Sequence, residues 1–199
     1  MSQTAHLKRN PIWRLIRRRL GRIYLWMIGW RIEGKVPSEP KYVAIAAPHT
    51  SYWDFTHMIA FGFATDQYIS FLMKASMFKG PAGALFRKMG GIPVYRSEAV
   101  GLVDSVVREF DKAERLIVVI APEGSRSKRD HWKSGFYHIA VKANLPIALG
   151  FMDYERKVVG YGPLLIPSGD EAGDVSMMAD FYDDMRGKYP DQETPAALG

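Results

Sequence analysis

Two hydrophobic periods alternate along the chain. Short, almost unbroken apolar runs occur at Tyr42 to Ala47, Ile69 to Met73, Ile92 to Tyr95, Leu116 to Ala121, Ile147 to Met152 and Val158 to Tyr161. Runs of this length, rich in Val and Ile, read as strands buried on both faces. Between them the spacing becomes helical: Trp53 to Ala64, a stripe of Leu102, Val103, Val106, Val107 and Phe110, the stretch Phe136 to Ala143, and an acidic closing helix from Val175 to Arg186. Strands alternating with helices predict an α/β fold whose largely parallel mixed sheet is flanked by helices. The tail from Pro190 has no periodic pattern and is expected to fray, and the chain holds no internal repeat.

Ahead of this pattern, Pro11 to Ile32 reads as one amphipathic helix. At ~100° per residue Ile12, Ile16, Leu20, Ile23, Met27 and Trp30 form a stripe, with Arg14, Arg17, Arg18 and Arg22 round the other side. Its longest uncharged run, Ile23 to Trp30, is far short of the ~20 residues a bilayer span needs. Tryptophans and arginines together suit a helix lying in the headgroup region, so an N-terminal membrane-surface helix is expected. The alternative is a stripe docked on its own domain with the arginines in water. Glu33 to Pro40, with two prolines and Gly34, is the only linker-like stretch. The expected organisation is therefore a basic membrane-association segment over residues 1–35 and a domain over residues 36–199.

Charge sharpens this division. The net charge is +6, yet residues 1–35 carry nine Lys/Arg against one acid, which leaves the remainder slightly acidic. A basic arm seeks a polyanion, either nucleic acid or an anionic lipid surface. The regular apolar stripe, and the lack of basic-aromatic interleaving on the strands, point to anionic lipids and away from nucleic acid. Overall composition, 47% hydrophobic and 24% charged, is ordinarily globular. With no cysteine in the chain, a thiolate nucleophile and any Cys-ligated metal are excluded.

The residues suited to chemistry follow strands. After the first comes His49 with Asp54 five residues on, able to meet around a strand-to-helix turn as a base and its orienter. His57 lies one helical turn beyond Asp54, so a His-Asp-His metal site is a further option, although nothing else nearby supplies a ligand. Lys74 follows the next strand. Arg96 follows the third, after Gly90 and Gly91. After the fourth comes Glu123-Gly124-Ser125-Arg126, with Lys128 and Arg129 close behind, a loop whose amides and cations suit an anion such as phosphate. A base beside cations suits activation of a hydroxyl on a phosphorylated acceptor.

These stretches resemble the motifs of the glycerophospholipid acyltransferases of the lysophosphatidic acid acyltransferase type. His49-Thr50-Ser51-Tyr52-Trp53-Asp54 is similar to the first, His-x4-Asp motif, and Gly91-Ile92-Pro93-Val94-Tyr95-Arg96 to the second, which ends in a phosphate-binding Arg. Pro122-Glu123-Gly124-Ser125-Arg126-Ser127 is similar to the third, and Lys74 resembles the Lys that precedes the second. In Leu145-Pro146-Ile147-Ala148-Leu149-Gly150 the fourth motif's first proline is kept, and Leu149 stands where a second is usual. The resemblance implies a membrane-associated enzyme moving a fatty acyl group from an acyl thioester to a lysophospholipid hydroxyl, 1-acylglycerol-3-phosphate foremost. It implies His49 and Asp54 as catalytic residues, with Lys74, Arg96, Glu123, Gly124, Ser125 and Arg126 binding substrate. No metal or cofactor is implied, since acyl-CoA or acyl-carrier protein would be a substrate. The implied location is peripheral, on the cytoplasmic face of the inner or plasma membrane. Two other readings are an acceptor such as an amino-acid lipid, and a non-catalytic membrane-binding protein. The missing cysteine and the missing Gly-x-Ser-x-Gly elbow agree with direct transfer without an acyl-enzyme.

Overall fold

A computed structural model of the chain describes residues 11–94 and 99–198. Its strands are β1 (Arg31–Glu33), β2 (Lys41–Ala47), β3 (Ile69–Lys74), β4 (Gly91–Val94), β5 (Leu116–Ile120), β6 (Ile147–Asp153) and β7 (Val158–Leu165). Its helices are α1 (Pro11–Met27), α2 (Trp53–Ala64), α3 (Gly80–Lys88), α4 (Ala99–Lys112), α5 (Gly135–Lys142) and α6 (Glu171–Tyr182). The seven strands form one sheet in the order β1-β7-β6-β2-β5-β3-β4. All neighbouring pairs are parallel except β6 with β7. The largely parallel mixed sheet expected from the apolar runs is present, with β2 near its middle.

Alternation along β2 divides the core. Val43, Ile45 and Ala47 face a cluster completed by Val106 and Phe110 of α4, Phe136 and Ile139 of α5, and Met178 and Tyr182 of α6. Tyr42 and Ala44 face the opposite cluster, with Met58 and Phe61 of α2 and with Leu25 and Trp30. Each large apolar side chain so removed from water contributes ~1.5–3 kcal/mol. Both layers hold the central strands still, which fixes the loops at their carboxyl ends.

α1 forms a further layer on α2, and its docking face is unlike the one a simple amphipathic reading suggests. Arg17, Gly21 and Leu25 are the buried positions. A Cβ at Gly21 would stand 2.5 Å from the Ala60 carbonyl oxygen, so this close approach of two helices requires glycine. Arg17 lies over the Tyr68 ring at 3.9 Å and pairs with Asp66, as does Arg14. Two of the arginines on the polar side of the helix thus hold it to the domain. The apolar stripe remains exposed: Ile12, Ile16, Leu20, Ile23 and Met27 are between 42% and 72% accessible. It does not pack on its own domain.

The helix is shorter than its periodicity suggests. Gly29 has φ +76°, and Trp30 N–H donates to Leu25 O while Gly29 N–H donates to Trp26 O, the paired bonds of a glycine-terminated helix end. Trp30 is turned into the core against Leu25 instead of extending the stripe. The chain then enters β1, which pairs with β7 through Arg31↔Val158 and its neighbours. So residues before position 35 supply an edge strand of the main sheet as well as a helix.

The tail expected to fray is tied down. Glu193 accepts from Gly187 N–H and Thr194 from Arg129 N–H, Trp132 N–H donates to Ala197 O, and Ala196 and Leu198 pack against the core. Backbone pairing and apolar burial of just two side chains suffice here, and neither produces a periodic signal.

Candidate active site

β2 ends in the core, the chain passes a cis Ala47–Pro48 bond, and the next residues wrap around one carboxylate. Asp54, in the first turn of α2, is buried, and its Oδ2 accepts from Thr50 N–H at 3.1 Å, Ser51 N–H at 2.9 Å and His49 Nδ1 at 3.0 Å. This accounts physically for the spacing of His49 and Asp54. A carboxylate at a helix start gathers the amides of the turn before it, and the imidazole five residues before the helix's second residue comes within reach. Because a carboxylate oxygen can only accept, Nδ1 carries the proton toward Asp54 and Nε2 is left with its lone pair free. The His49 side chain is partly open to solvent, at 21% exposure.

A second strand end, that of β5, also reaches this point. Glu123 is buried, and its Oε1 accepts from the backbone N–H of His49 at 3.0 Å, which fixes the main chain beneath the imidazole. Its Oε2 is buried without a hydrogen-bond partner among the described residues. Burial, opposed by the two amides that donate to it, pushes its pKa up from 4.5 to about 7. Glu123 therefore supports His49 from below; no ion pair joins it to a cation among the described residues.

Tyr154, just after β6, was not singled out by any sequence signal. Its hydroxyl donates to Asp54 Oδ1 at 2.6 Å. Burial and the adjoining carboxylate raise the phenol's pKa well beyond its ordinary value, so it stays a donor. Its ring stands edge-on to Trp30, with centroids 4.8 Å apart. His57 sits in the same aromatic packing, 4.6 Å from the Trp30 ring centroid, with Nδ1 3.0 Å from the Tyr24 hydroxyl. Burial lowers its pKa, which keeps it neutral at pH 7. It joins α1 to α2, and no group of three or more His, Cys, Asp or Glu among the described residues is arranged to hold a metal ion.

The other site residues from the sequence are placed unequally. The chain turns at Gly124, φ +63°, and Ser125 Oγ donates to Ser127 O and accepts from Arg129 Nε, so this hydroxyl braces its own loop. Arg126 is brought alongside the His49 loop, its guanidinium 3.7 Å from the Tyr52 ring centroid. Lys74 ends β3, exposed, and no hydrogen bond or ion pair joins it to His49, Asp54 or Glu123 among the described residues. Arg96 lies outside the described residues. Lys188, also absent from the sequence reading, approaches the Trp53 ring at 5.4 Å, and Tyr189 N–H donates to Thr50 Oγ1. No local pattern around Lys188 distinguishes it from a surface lysine.

The geometry is that of a general base with an orienting carboxylate at the carboxyl ends of parallel strands, where open α/β sheets bind ligands. A family model described as Acyltransferase matches residues 29–148. A crystal structure of the 1-acyl-sn-glycerophosphate (LPA) acyltransferase PlsC from Thermotoga maritima has the same fold, with TM-score 0.58 and 15% sequence identity over 84% of this chain and 76% of that one. No curated protein matches in sequence.

Proposed function

Since this chain belongs to the acyltransferase family, we propose that it moves a fatty acyl group from an acyl thioester to the hydroxyl of a lysophospholipid-type acceptor, 1-acylglycerol-3-phosphate foremost. The observation that carries this reading is the His49 Nδ1–Asp54 Oδ2 contact of 3.0 Å, which leaves Nε2 directed away from its orienter. Nε2 takes the acceptor hydroxyl's proton as that oxygen attacks the thioester carbonyl. The tetrahedral adduct collapses, the carbon–sulfur bond breaks, and the imidazolium returns the proton to the departing thiolate. Asp54 holds the imidazole's tautomer and stabilises its cation. Arg126, with Lys74 from the neighbouring strand end and Arg96 on the resemblance of its motif alone, would meet the acceptor phosphate, and acyl-CoA or acyl-carrier protein would bring the acyl chain. Glu123, Gly124 and Ser125 shape the floor of this site.

The exposed face of α1 supports work at a membrane surface. No described helix is long and apolar enough to cross a bilayer. Yet Ile12, Ile16, Leu20, Ile23 and Met27 stand in solvent on one side of α1 while the opposite side docks on α2. Burying such a face in anionic lipid would place the protein peripherally, on the cytoplasmic side of the membrane where thioester donors are made.

Purified full-length protein, given a long-chain acyl thioester and 1-acylglycerol-3-phosphate in mixed micelles, should release free thiol and form the diacyl product. His49→Ala should abolish transfer, and Asp54→Asn should cost almost as much, because the two residues act as a unit. His49→Ala that is folded by circular dichroism yet turns over near the wild-type rate would refute the proposed base. Transfer to an amino-acid lipid in preference to the phosphate acceptor would move the reading to that substrate.

A further inference from the structure

The arginines of α1 are not all used in the same way. Arg14 and Arg17 both pair with Asp66. Arg18 and Arg22 have no ionic partner among the described residues, although they lie one helical turn apart, where like charges repel. Both line an open groove of about 500 Å³ formed where the end of α1 passes β1, and Trp26, Trp30, Ile32 and Val36 supply its apolar walls. No acidic residue lines it among the described residues. By helical geometry Arg18 and Arg22 lie between the docked face and the exposed apolar stripe. If the stripe is buried in lipid, the groove therefore opens at the level of the headgroups.

We propose that this groove binds one anionic phospholipid molecule of the bilayer, its phosphate held by Arg18 and Arg22 and the first part of its acyl chains lying along Trp26, Trp30, Ile32 and Val36. Two guanidiniums set together without a counter-ion match a phosphate's oxygens. The apolar walls continue where a free phosphate would offer nothing, and the absence of a carboxylate leaves no partner for a choline or ethanolamine cation. The groove includes neither His49 nor Asp54, so its occupant is a bound lipid of the membrane and not the acyl acceptor. The orientation rests on the membrane-surface reading of α1; the groove itself does not.

The test keeps those two claims apart. Isothermal titration of the full-length protein with a short-chain phosphatidylglycerol, below its critical micelle concentration, should show saturable one-to-one binding. The phosphatidylcholine of equal chain length should bind at least about tenfold more weakly. In Arg18→Gln/Arg22→Gln the affinity for phosphatidylglycerol should fall about tenfold or more, the loss expected from one or more charge-assisted hydrogen bonds. Trp26→Ala should also weaken it. Ile16→Asp/Leu20→Asp, which alters only the stripe, should leave it unchanged. The proposal falls if the double Arg variant titrates like the wild type, if phosphatidylcholine binds equally well, or if inorganic phosphate alone saturates with the same affinity. Flotation with vesicles of phosphatidylcholine and phosphatidylglycerol reads the stripe separately. Failure of the wild type to float, or undiminished flotation of Ile16→Asp/Leu20→Asp, in a protein that still binds the soluble lipid would overturn the membrane reading and leave the groove standing.

Discussion

Replacing Glu123 by Gln should change how stability depends on pH, and the size of the change follows from where that carboxyl sits. Its pKa stands at about 7 in the folded protein against an ordinary 4.5. A carboxyl with a raised folded pKa penalises folding once it must ionise. The stability is full below pH 4.5, declines as pH rises, and the loss is complete above about pH 8. At ~1.36 kcal/mol per pH unit the difference amounts to about 3 kcal/mol. Glutamine can still accept the His49 N–H through its amide oxygen, and its NH2 takes the place of the partnerless Oε2. That amide is unsatisfied to the same extent at every pH. Urea unfolding of wild type and Glu123→Gln at pH 5, 7 and 9 isolates the group, because every other titration cancels in the difference. The variant should gain relative stability of 2 to 3 kcal/mol, an order-of-magnitude figure, between pH 5 and pH 9. Parallel curves across that range would show that Glu123 is not held in a site that resists its ionisation.

Tyr154→Phe removes the donor to Asp54 Oδ1, a charge-assisted bond worth ~1.5–3 kcal/mol. kcat should fall about tenfold to a hundredfold with KM for either substrate nearly unchanged, and steady-state kinetics showing an unaltered kcat would remove Tyr154 from the positioning of the pair. Arg126→Ala, which also loses the stacking on Tyr52, should raise KM for a phosphorylated acceptor about tenfold or more while leaving KM for the thioester alone. Equal effects on both substrates would contradict the assignment of Arg126 to the acceptor.

What could be read from the sequence divides along the line between local and tertiary signals. The bounds of α2 are those its apolar pattern indicates, Trp53 to Ala64, and five of the strands fall within a residue or so of their apolar runs, because burial on both faces writes itself into consecutive positions. α1 was legible as a helix but not in its length. Trp30 lies 18 residues, or five full turns, from Ile12 and so satisfies the period, while the glycine turn at Gly29 takes it off the helix. β1 has three residues and an exposed edge, too short for any period to register. α3, with two glycines and a proline among nine residues, has little helix propensity of its own. In the site, His49 and Asp54 are close in sequence and could be paired from spacing alone. Glu123 was legible as a candidate but its contact was not, because an acid at a strand tip reads equally as a ligand for substrate or as a brace. Tyr154 and Lys188 come from beyond β6, and only the assembled sheet brings them near.

The supports of the His49 loop also say something about when the protein acquires a working site during its synthesis. Asp54 is held by a residue 100 positions later, His49 by one 74 positions later and Thr50 by one 139 positions later. Each such tie closes a long loop, whose entropy must be met before the contact returns anything. A nascent chain that has emerged only as far as β5 can display histidine and aspartate, but it cannot hold them in register. The amide of Tyr189 is made 139 positions after Thr50, so a ribosome must pass Tyr189 before the last of these ties to the first motif can form. Chains that stop short of Tyr189 would then carry His49 and Asp54 without all the contacts that hold them.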